Sequence, residues 1–457
     1  MKTKTLLLVI STIEFALIGS SLAKEGYVAH EWGTFTSVQG ADGVPLEWNP
    51  LTSSELPGFV HDWSKPLGDP RRHLTGFLGK TAFRTLQRME TPVIYFYADS
   101  AQTVDVTVKF PQGLVTEWYP QVTEIGPSAV KPRPLLTELD QLLGKTGWQP
   151  RPGFASLDTR LGIADSHIRW PEVRVRPAGK RLESEPLLPM DQTGSHYYAA
   201  RETGGNLLEV RTSANGAVTT EHERFLFYRG IGSFPTPLHV SLAGDENQVQ
   251  VRNNGAEPLG HLVVLHVKDG KGECAYVDRL GAGEAKTATL GKEKSTDELG
   301  GLVDQISRRM IKALTEAGLY PREAEAMVKT WRDSWFAEAG TRVLYVLPRS
   351  WTDQVLPITL KPAPSELVRV MVGRAELLTP AMERAVSKEI VRFSEAGEQD
   401  RSEVVEATRQ LGLGRFLEPA IHSAARKLQK EKLTKAAWEL LEAATTRRAE
   451  SRAIAAR

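Results

Sequence analysis

The side chains that could do chemistry are concentrated in the first half of the chain, where they lie in short strings with aromatic neighbours. Histidine, glutamate and arginine supply metal ligands, general acids or bases, and anion-binding groups. The spacing inside each string matches no metal signature, and His-Glu-x-x-His is absent. A site would therefore have to combine residues from separate strings, which occupy positions 30–35, 61–63, 71–73, 196–202 and 221–224.

A metal site is the first candidate, with His30, His61 and His73 as its ligands. Zinc takes three or four such groups, and a catalytic zinc leaves one position for water. Neighbouring side chains of a strand point to opposite faces, so His30 and Glu31 bind the same ion only if a bulge or turn intervenes. The candidate cofactor is thus a divalent metal, zinc, and the alternative is a structural role for each histidine.

Carboxylate catalysis is the second candidate, through Glu31, Glu90 and Glu202, with Arg201 next to Glu202 in the sequence. Apolar and aromatic neighbours raise the pKa of a carboxyl group and suit it to general acid catalysis. Two such groups on either side of a sugar bond would make a glycosidase. Arg201 would bind an anionic substrate or pair with one of these acids, and structural salt bridges are the alternative.

The elements that would position these residues are mainly strands. Positions 104–110 alternate valine with polar side chains up to Phe110, which indicates a half-buried strand. Positions 93–98 form a continuous apolar run, typical of a strand buried on both faces. Short strands separated by turn signals recur between Leu238 and Leu290, and they predict a small β-sandwich of immunoglobulin-like architecture.

Helical periodicity follows in the sequence. Ser295 and Glu298 have capping-box spacing, and apolar residues then recur at helical intervals. A second helix is predicted to begin at Pro321 and to end at Gly340. These segments predict a helical hairpin, with strands between 342 and 372 packed on the β region.

The fold class predicted from these patterns is α+β, mainly β. From Thr379 onward the sequence is rich in Ala, Glu, Lys, Arg and Leu and predicts three or four antiparallel helices. The predicted parts are a signal peptide over 1–23, a β-rich domain with the candidate site over 24–230, an immunoglobulin-like β-sandwich over 231–294, a helical hairpin plus strands packed on the β region over 295–378, and an α-helical tail over 379–457.

The first residues predict export. Lys2 and Lys4 precede an apolar run over 6–18, and small residues follow up to Ala23. The run is short for a membrane span, so we expect cleavage after Ala23 and no integral membrane span in the mature chain. The predicted location is the periplasm or the extracellular medium.

Charge and cysteine content narrow the range of functions. The chain has 57 Lys and Arg against 56 Asp and Glu, and loss of the leader would leave it formally neutral. A nucleic-acid partner is not expected, because such proteins present a basic face. Cys274 is the only cysteine, so no intramolecular disulfide can form, and we expect it to be a buried apolar residue.

Three strings resemble those of a group of uncharacterised secreted bacterial proteins. They are YVAHEWGTF at 27–35, RMETP at 88–92 and FLFYRG at 225–230. The resemblance covers most of the mature chain apart from the helical tail. It implies no fold, activity or ligand, so the functional hypotheses depend on the residues themselves.

Two functional hypotheses remain open. The first is an exported multidomain bacterial protein with a ligand-binding or hydrolytic cleft in its N-terminal β-rich half, which acts on an envelope or extracellular polymer. The second is a noncatalytic binding or scaffold protein of the cell envelope, whose helical tail binds a protein partner. An enzyme needs its polar groups convergent in one pocket, whereas a scaffold leaves them scattered and paired. The candidate ligand is a polysaccharide or a protein, and polysaccharide recognition predicts a row of exposed tryptophan rings.

Overall fold

Strands are the main element of this chain. The computed structural model has 41% strand and 31% helix, with several sheets and C-terminal helices, which confirms the predicted α+β, mainly β class. The structure describes residues 26–49, 56–62, 83–126, 133–134, 155–156, 166–177, 186–191, 195–214, 217–244, 246–291 and 299–455.

The strands and helices are numbered in chain order. The strands are β1 (Val28–Gln39), β2 (Pro45–Leu46), β3 (His61–Asp62), β4 (Phe83–Arg84), β5 (Gln87–Tyr97), β6 (Gln102–Lys109), β7 (Gly113–Tyr119), β8 (Glu124–Gly126), β9 (Arg133–Pro134), β10 (Ala155–Ser156), β11 (His167–Val175), β12 (Leu208–Ala214), β13 (Ala217–Glu223), β14 (Leu226–Gly232), β15 (Leu238–Leu242), β16 (Gln248–Asn253), β17 (Leu259–Lys268), β18 (Lys271–Leu280), β19 (Ala285–Thr289), β20 (Gly340–Val346), β21 (Ile358–Lys361) and β22 (Glu366–Leu377). The α-helices are α1 (Leu299–Glu316), α2 (Pro321–Arg332), α3 (Arg349–Val355), α4 (Pro380–Glu395), α5 (Arg401–Gln410), α6 (Leu417–Leu428) and α7 (Glu431–Ala455).

The largest sheet has the strand order β18-β17-β20-β22-β1-β5-β14-β7-β3, and β2 also pairs with β1. Strand β1 lies near its centre, parallel to β22 and antiparallel to β5. Residues 29–39 of β1 are all buried because both faces of this sheet are covered. At Gly33 the register with β5 shifts. A Cβ atom at Gly33 would lie 2.9 Å from Pro92 Cα, so glycine permits this close approach of the two strands.

The two faces of the large sheet pack against different layers. One face packs against a second sheet, β13-β12-β11-β6-β21 with β8 beside β11, and against a small sheet, β15-β16-β19. The other face packs against α1 and α2. Large buried side chains of the first face include Phe35, Ile94, Tyr228, Val264 and Tyr345, and those of the second include Trp32, Val93, Phe227, Leu265 and Val372.

The segment from Leu238 to Leu290 forms the strands predicted there, but in two sheets. Strands β15, β16 and β19 make the small sheet, whereas β17 and β18 extend the large sheet. Val251 of the small sheet and Leu262 of the large sheet belong to the same core. The sandwich is therefore closed by one end of the large sheet.

The predicted helical hairpin is confirmed as α1 and α2. Pro321 begins α2, where its missing N–H costs no intrahelical hydrogen bond, and the Tyr320 backbone N–H donates to Glu323 Oε2 at 2.8 Å. Helix α2 ends at Arg332, ahead of a π-helical turn, and does not continue to Gly340. The capping box predicted at 295–298 lies outside the described residues.

The C-terminal helices are confirmed as α4 to α7. The Thr379 hydroxyl caps α4 by accepting a hydrogen bond from the Met382 N–H at 3.3 Å. Their apolar faces form a third core that also includes Val38, Leu46 and Trp48 from the first strands. None of the described helices is long and apolar enough to cross a membrane.

Candidate functional site

His30 lies on β1 beneath the helical hairpin and is 1% exposed. Its Nδ1 lies 2.7 Å from Glu323 Oε2 on α2, and the Tyr97 hydroxyl donates to Glu323 Oε1 at 2.6 Å. The Tyr320 ring lies 4.4 Å from the imidazole, centroid to centroid. Burial and the neighbouring Glu323 raise the pKa of Tyr97, so its phenol stays a proton donor. His30 is thus held by a glutamate of the hairpin.

Glu31 lies on the opposite face of β1, as strand alternation predicts. Its side chain is buried and accepts hydrogen bonds from Arg369 Nε on β22 (2.6 Å) and from the Tyr228 hydroxyl on β14. Arg369 also donates to Asp353 Oδ1 and to the Leu356 carbonyl, both at 2.7 Å. Each oxygen of Glu31 therefore has a partner inside the fold, which connects three strands of the large sheet.

Glu90 lies on β5 within a buried group of arginines and glutamates. Its Oε1 accepts a hydrogen bond from Arg415 Nη1 at 2.7 Å, and Arg88 Nε lies 3.6 Å from the same oxygen. Burial alone would raise the pKa of this carboxyl, but Arg415 and Arg88 lower it to about 2. Glu90 is therefore a permanent anion at neutral pH, which is unsuited to general acid catalysis.

Arg201 lies at the end of a short 3-10 helix and forms a bidentate ion pair with Glu223, at 3.0 Å from Nε and 2.7 Å from Nη2. Nη2 also donates to the Pro189 carbonyl at 2.9 Å. Burial raises the pKa of Glu223, and the bonds from Arg201 oppose that rise. The adjacent Glu202 is exposed and pairs with Lys329 of α2 at 2.7 Å.

An aromatic cluster surrounds Arg201. It consists of Phe59, Tyr119, Tyr197 and Tyr198: the guanidinium carbon lies 5.0 to 5.9 Å from the ring centroids of Phe59, Tyr197 and Tyr198, and Tyr119 packs on Phe59 at 4.9 Å. His61 stacks on Tyr119 at 5.9 Å, and its Nε2 lies 2.8 Å from Glu221 Oε1. The structure therefore brings His61 and Arg201 to the same cluster.

The predicted site residues are otherwise distributed over separate environments. His30, Glu31 and Glu90 each have a different partner set, and none of these partners is shared with Arg201 or His61. His73 lies outside the described residues. Within the part of the chain that the structure describes, no group of three or more His, Cys, Asp or Glu residues has the arrangement to hold a metal ion.

Sequence reasoning missed the partners of these residues, above all Glu323, Asp353 and Arg369. Signals for two of them exist in the sequence. Arg369 interrupts an apolar strand, and Glu323 follows Tyr320 and Pro321 at the spacing of a helix cap. Neither signal specifies which distant residue it pairs with.

A segment with two exposed apolar side chains is attached to the aromatic cluster. Leu187 is 96% exposed and Met190 is 66% exposed, and half-buried Phe59 and Tyr198 adjoin the segment that carries them. Two hydrogen bonds to Asp191, from the Gly58 N–H at 2.6 Å and from the Tyr198 hydroxyl at 3.2 Å, attach this segment to the cluster. We call Leu187, Met190, Phe59 and Tyr198 the apolar patch.

Most of the described tryptophans are buried. Trp331 and Trp351 are half-buried, and Trp63 and Trp148 lie outside the described residues. The six others are buried, namely Trp32, Trp48, Trp118, Trp170, Trp335 and Trp438. The described residues therefore contain no row of solvent-facing tryptophan rings.

Comparison with known proteins identifies no family for this chain. No family model matches the chain, and no curated protein matches it. Among solved structures it is similar to the yeast delta-COP-I mu-homology domain complexed with a Dsl1 WxWxV peptide, at 8% identity and a TM-score of 0.25, over 78% of this chain and 98% of that one. The same yeast domain without the peptide matches at 7% identity and a TM-score of 0.24, with the same coverage. At these TM-scores the likeness does not establish a shared fold.

Proposed function

We propose that this protein is an exported, noncatalytic binding protein that docks a protein partner on the apolar patch. One observation supports the noncatalytic part of the proposal. The four candidate catalytic side chains, Glu31, Glu90, Arg201 and Glu202, each belong to a different ion pair, with Arg369, Arg415, Glu223 and Lys329 respectively. Hydrolysis needs an acid and a base or nucleophile convergent on one bond, and paired groups in separate environments do not supply this.

The chemistry of the patch favours a polypeptide segment with apolar side chains. Met190 and Tyr198 are residue types enriched at protein interfaces, and Leu187 adds an aliphatic surface that is almost entirely exposed. A polysaccharide would instead be recognised by flat exposed rings, and each described tryptophan is buried or half-buried. Asp191, which accepts hydrogen bonds from the Gly58 N–H and the Tyr198 hydroxyl, supplies a polar group at the edge of the patch.

Peptide display tests the binding surface directly. A library of random peptides is selected on the mature protein, and the affinities of enriched peptides are measured for a Leu187→Asp, Met190→Asp double variant. Both side chains are exposed, so the double variant should fold. Val44→Asp is the matched control, since Val44 is also an exposed apolar residue, 47% accessible, outside the patch.

We expect a set of apolar peptides that bind the double variant at least about tenfold more weakly than the wild type, a difference of about 1.4 kcal/mol in binding free energy. The same peptides should bind the Val44→Asp control with wild-type affinity. Equal affinities for all three proteins would reject the patch as the docking site.

The noncatalytic part of the proposal needs a separate measurement. Peptidoglycan sacculi and casein are incubated with the protein, and release of soluble products is followed. We expect no release above a heat-denatured control. Product release that disappears in Glu202→Gln, a change at an exposed side chain that should not affect folding, would establish hydrolysis instead.

A further inference from the structure

Two arginines and two threonines meet where the large sheet, the end of the hairpin and the C-terminal helices come together. Thr36 on β1 is the register partner of Arg374 on β22, and partners across a pair of strands project from the same face. Thr34 lies two residues earlier and shares that face. Arg415 approaches from the segment between α5 and α6 and contacts Glu90, the register partner of Thr34 on β5.

The two arginines also share a carboxylate. Arg374 Nη2 donates to Glu338 Oε2 at 2.6 Å, and Arg415 Nη2 lies 3.8 Å from the same oxygen. Arg374 Nε donates to Glu376 at 2.6 Å and Arg415 Nη1 to Glu90 at 2.7 Å. One nitrogen of each guanidinium group therefore lies within about 4 Å of the same carboxylate oxygen, so the two groups are neighbours.

Several polar atoms in this region are buried without a hydrogen-bond partner among the described residues. They are Arg374 Nη1, Arg415 Nε and Nη2, and the hydroxyl oxygens of Thr34 and Thr36. A buried donor left unsatisfied destabilises the fold, and more so when it is charged. So many orphaned donors around two neighbouring guanidinium groups are expected where a ligand supplies the acceptors.

We propose that these donors bind a compact oxyanion of the phosphate class, as inorganic phosphate or a phosphate monoester. Its oxygens accept from Arg374 Nη1, from Nε and Nη2 of Arg415, which together form a fork, and from the two threonine hydroxyls. The ligand enters from the side of Glu338 and Arg415, whose side chains are 32% and 14% exposed while Arg374 is fully buried. The site shares no residue with the apolar patch.

The position of the site gives the ligand a structural effect. Arg374 belongs to the large sheet and Arg415 to the C-terminal helical region, so an anion between them connects the two. Binding to the folded state alone raises the unfolding temperature, by an amount that grows with ligand concentration above Kd.

Thermal unfolding and calorimetric titration of the full mature chain with inorganic phosphate test this site. The informative variant is Thr34→Val, Thr36→Val, because valine has the shape of threonine and neither hydroxyl has a protein partner among the described residues. Thr219→Val is the matched control, at an exposed strand position on β13. Potassium chloride at equal ionic strength measures the general salt effect.

We expect saturable phosphate binding that raises the unfolding temperature of the wild type and of the Thr219→Val control, and at least about a tenfold loss of affinity in the double variant. Equal phosphate affinity in all three proteins would show an adventitious ion only and would overturn the proposal, as would the absence of binding to the wild type. A parallel titration with glycerol phosphate identifies the source. Tighter binding than that of inorganic phosphate assigns a monoester, and weaker binding assigns the free ion.

Discussion

At the residue scale, two of the candidate catalytic glutamates are buried and belong to ion pairs. Glu31 with Arg369 and Glu90 with Arg415 lie inside the fold, where water does not compensate a charge that loses its partner. Glu202, a residue of the same type, pairs with Lys329 at the surface, where both side chains are more than half exposed. Burial therefore separates glutamates that the sequence presents as equivalent.

Glu31→Ala should lower the free energy of unfolding by about 1–3 kcal/mol, because it leaves the buried Arg369 Nε and the Tyr228 hydroxyl without an acceptor while Asp353 still pairs with the guanidinium group. Glu202→Ala is the matched control and should cost less than about 1 kcal/mol. Urea denaturation followed by circular dichroism measures both. A Glu31→Ala variant as stable as Glu202→Ala would contradict the structural role of the pair.

The lowered pKa of Glu90 predicts that the stability of the protein depends on pH. Its pKa in the folded protein is about 2, below its ordinary 4.5, so its contribution is fully present above 4.5 and is lost as the pH falls through 2. The difference corresponds to roughly 3 kcal/mol. Urea denaturation between about pH 5 and pH 2 should show a steeper loss of stability for the wild type than for Glu90→Gln. Parallel pH profiles would contradict this prediction.

At the element scale, close approach of strands determines which residues the large sheet tolerates. Gly230 on β14 lies at a shift of register with β7, and a Cβ atom there would clash with the Leu114 carbonyl oxygen. That neighbour is backbone, so the strands themselves would have to move apart. Gly300 in α1 is different, because a Cβ atom there would meet no atom of the described residues within 4 Å.

Substitutions at these two glycines should therefore change the stability of the protein in opposite directions. Gly230→Ala should destabilise the protein by roughly 1–3 kcal/mol through overpacking. Gly300→Ala should stabilise it by up to about 1 kcal/mol, because alanine has the higher helix propensity. Thermal and urea unfolding of both variants measure the effect. Stabilisation by Gly230→Ala would show that β14 and β7 are not packed as closely as the structure indicates.

At the scale of the whole molecule, the C-terminal helices and the first strands share a core. Trp48 is fully buried and lies 5.8 Å from the Phe416 ring, and Val38 at the end of β1 belongs to the same cluster. The predicted tail is therefore joined to the large sheet through side chains more than 350 residues apart in the chain. We therefore expect the stability of the C-terminal helices to depend on their contact with the large sheet.

Trp48→Ala should cost about 3–5 kcal/mol and should increase amide hydrogen exchange in α4 to α7. Trp170→Ala is the matched control. This tryptophan is equally buried but lies in the core between the sheets, so its loss should increase exchange in β6 and β11 first. If Trp48→Ala left exchange in the C-terminal helices unchanged, the helices would not depend on the first strands.

Local patterns determined much of the fold. Alternation over 104–110 predicted the strand found as β6, the apolar run over 93–98 predicted the second half of β5, and helical periodicity predicted α1, α2 and the C-terminal helices. Alternation also placed His30 and Glu31 on opposite faces of one strand. These predictions need only neighbouring residues, because the direction of side chains repeats every two residues in a strand and about every 3.6 residues in a helix.

Only the tertiary structure decided what the candidate site residues do. Glu323 is 293 residues from His30, and Arg369 is 338 residues from Glu31, so no local spacing relates either pair. The parallel pairing of β1 with β22 brings Arg369 and Arg374 beside the first strand. By itself the sequence determined the strands and helices named above, because their patterns depend on neighbouring residues. The partner, burial and charge environment of each polar group depend on long-range packing, and they distinguish a catalytic carboxylate from a buried ion pair.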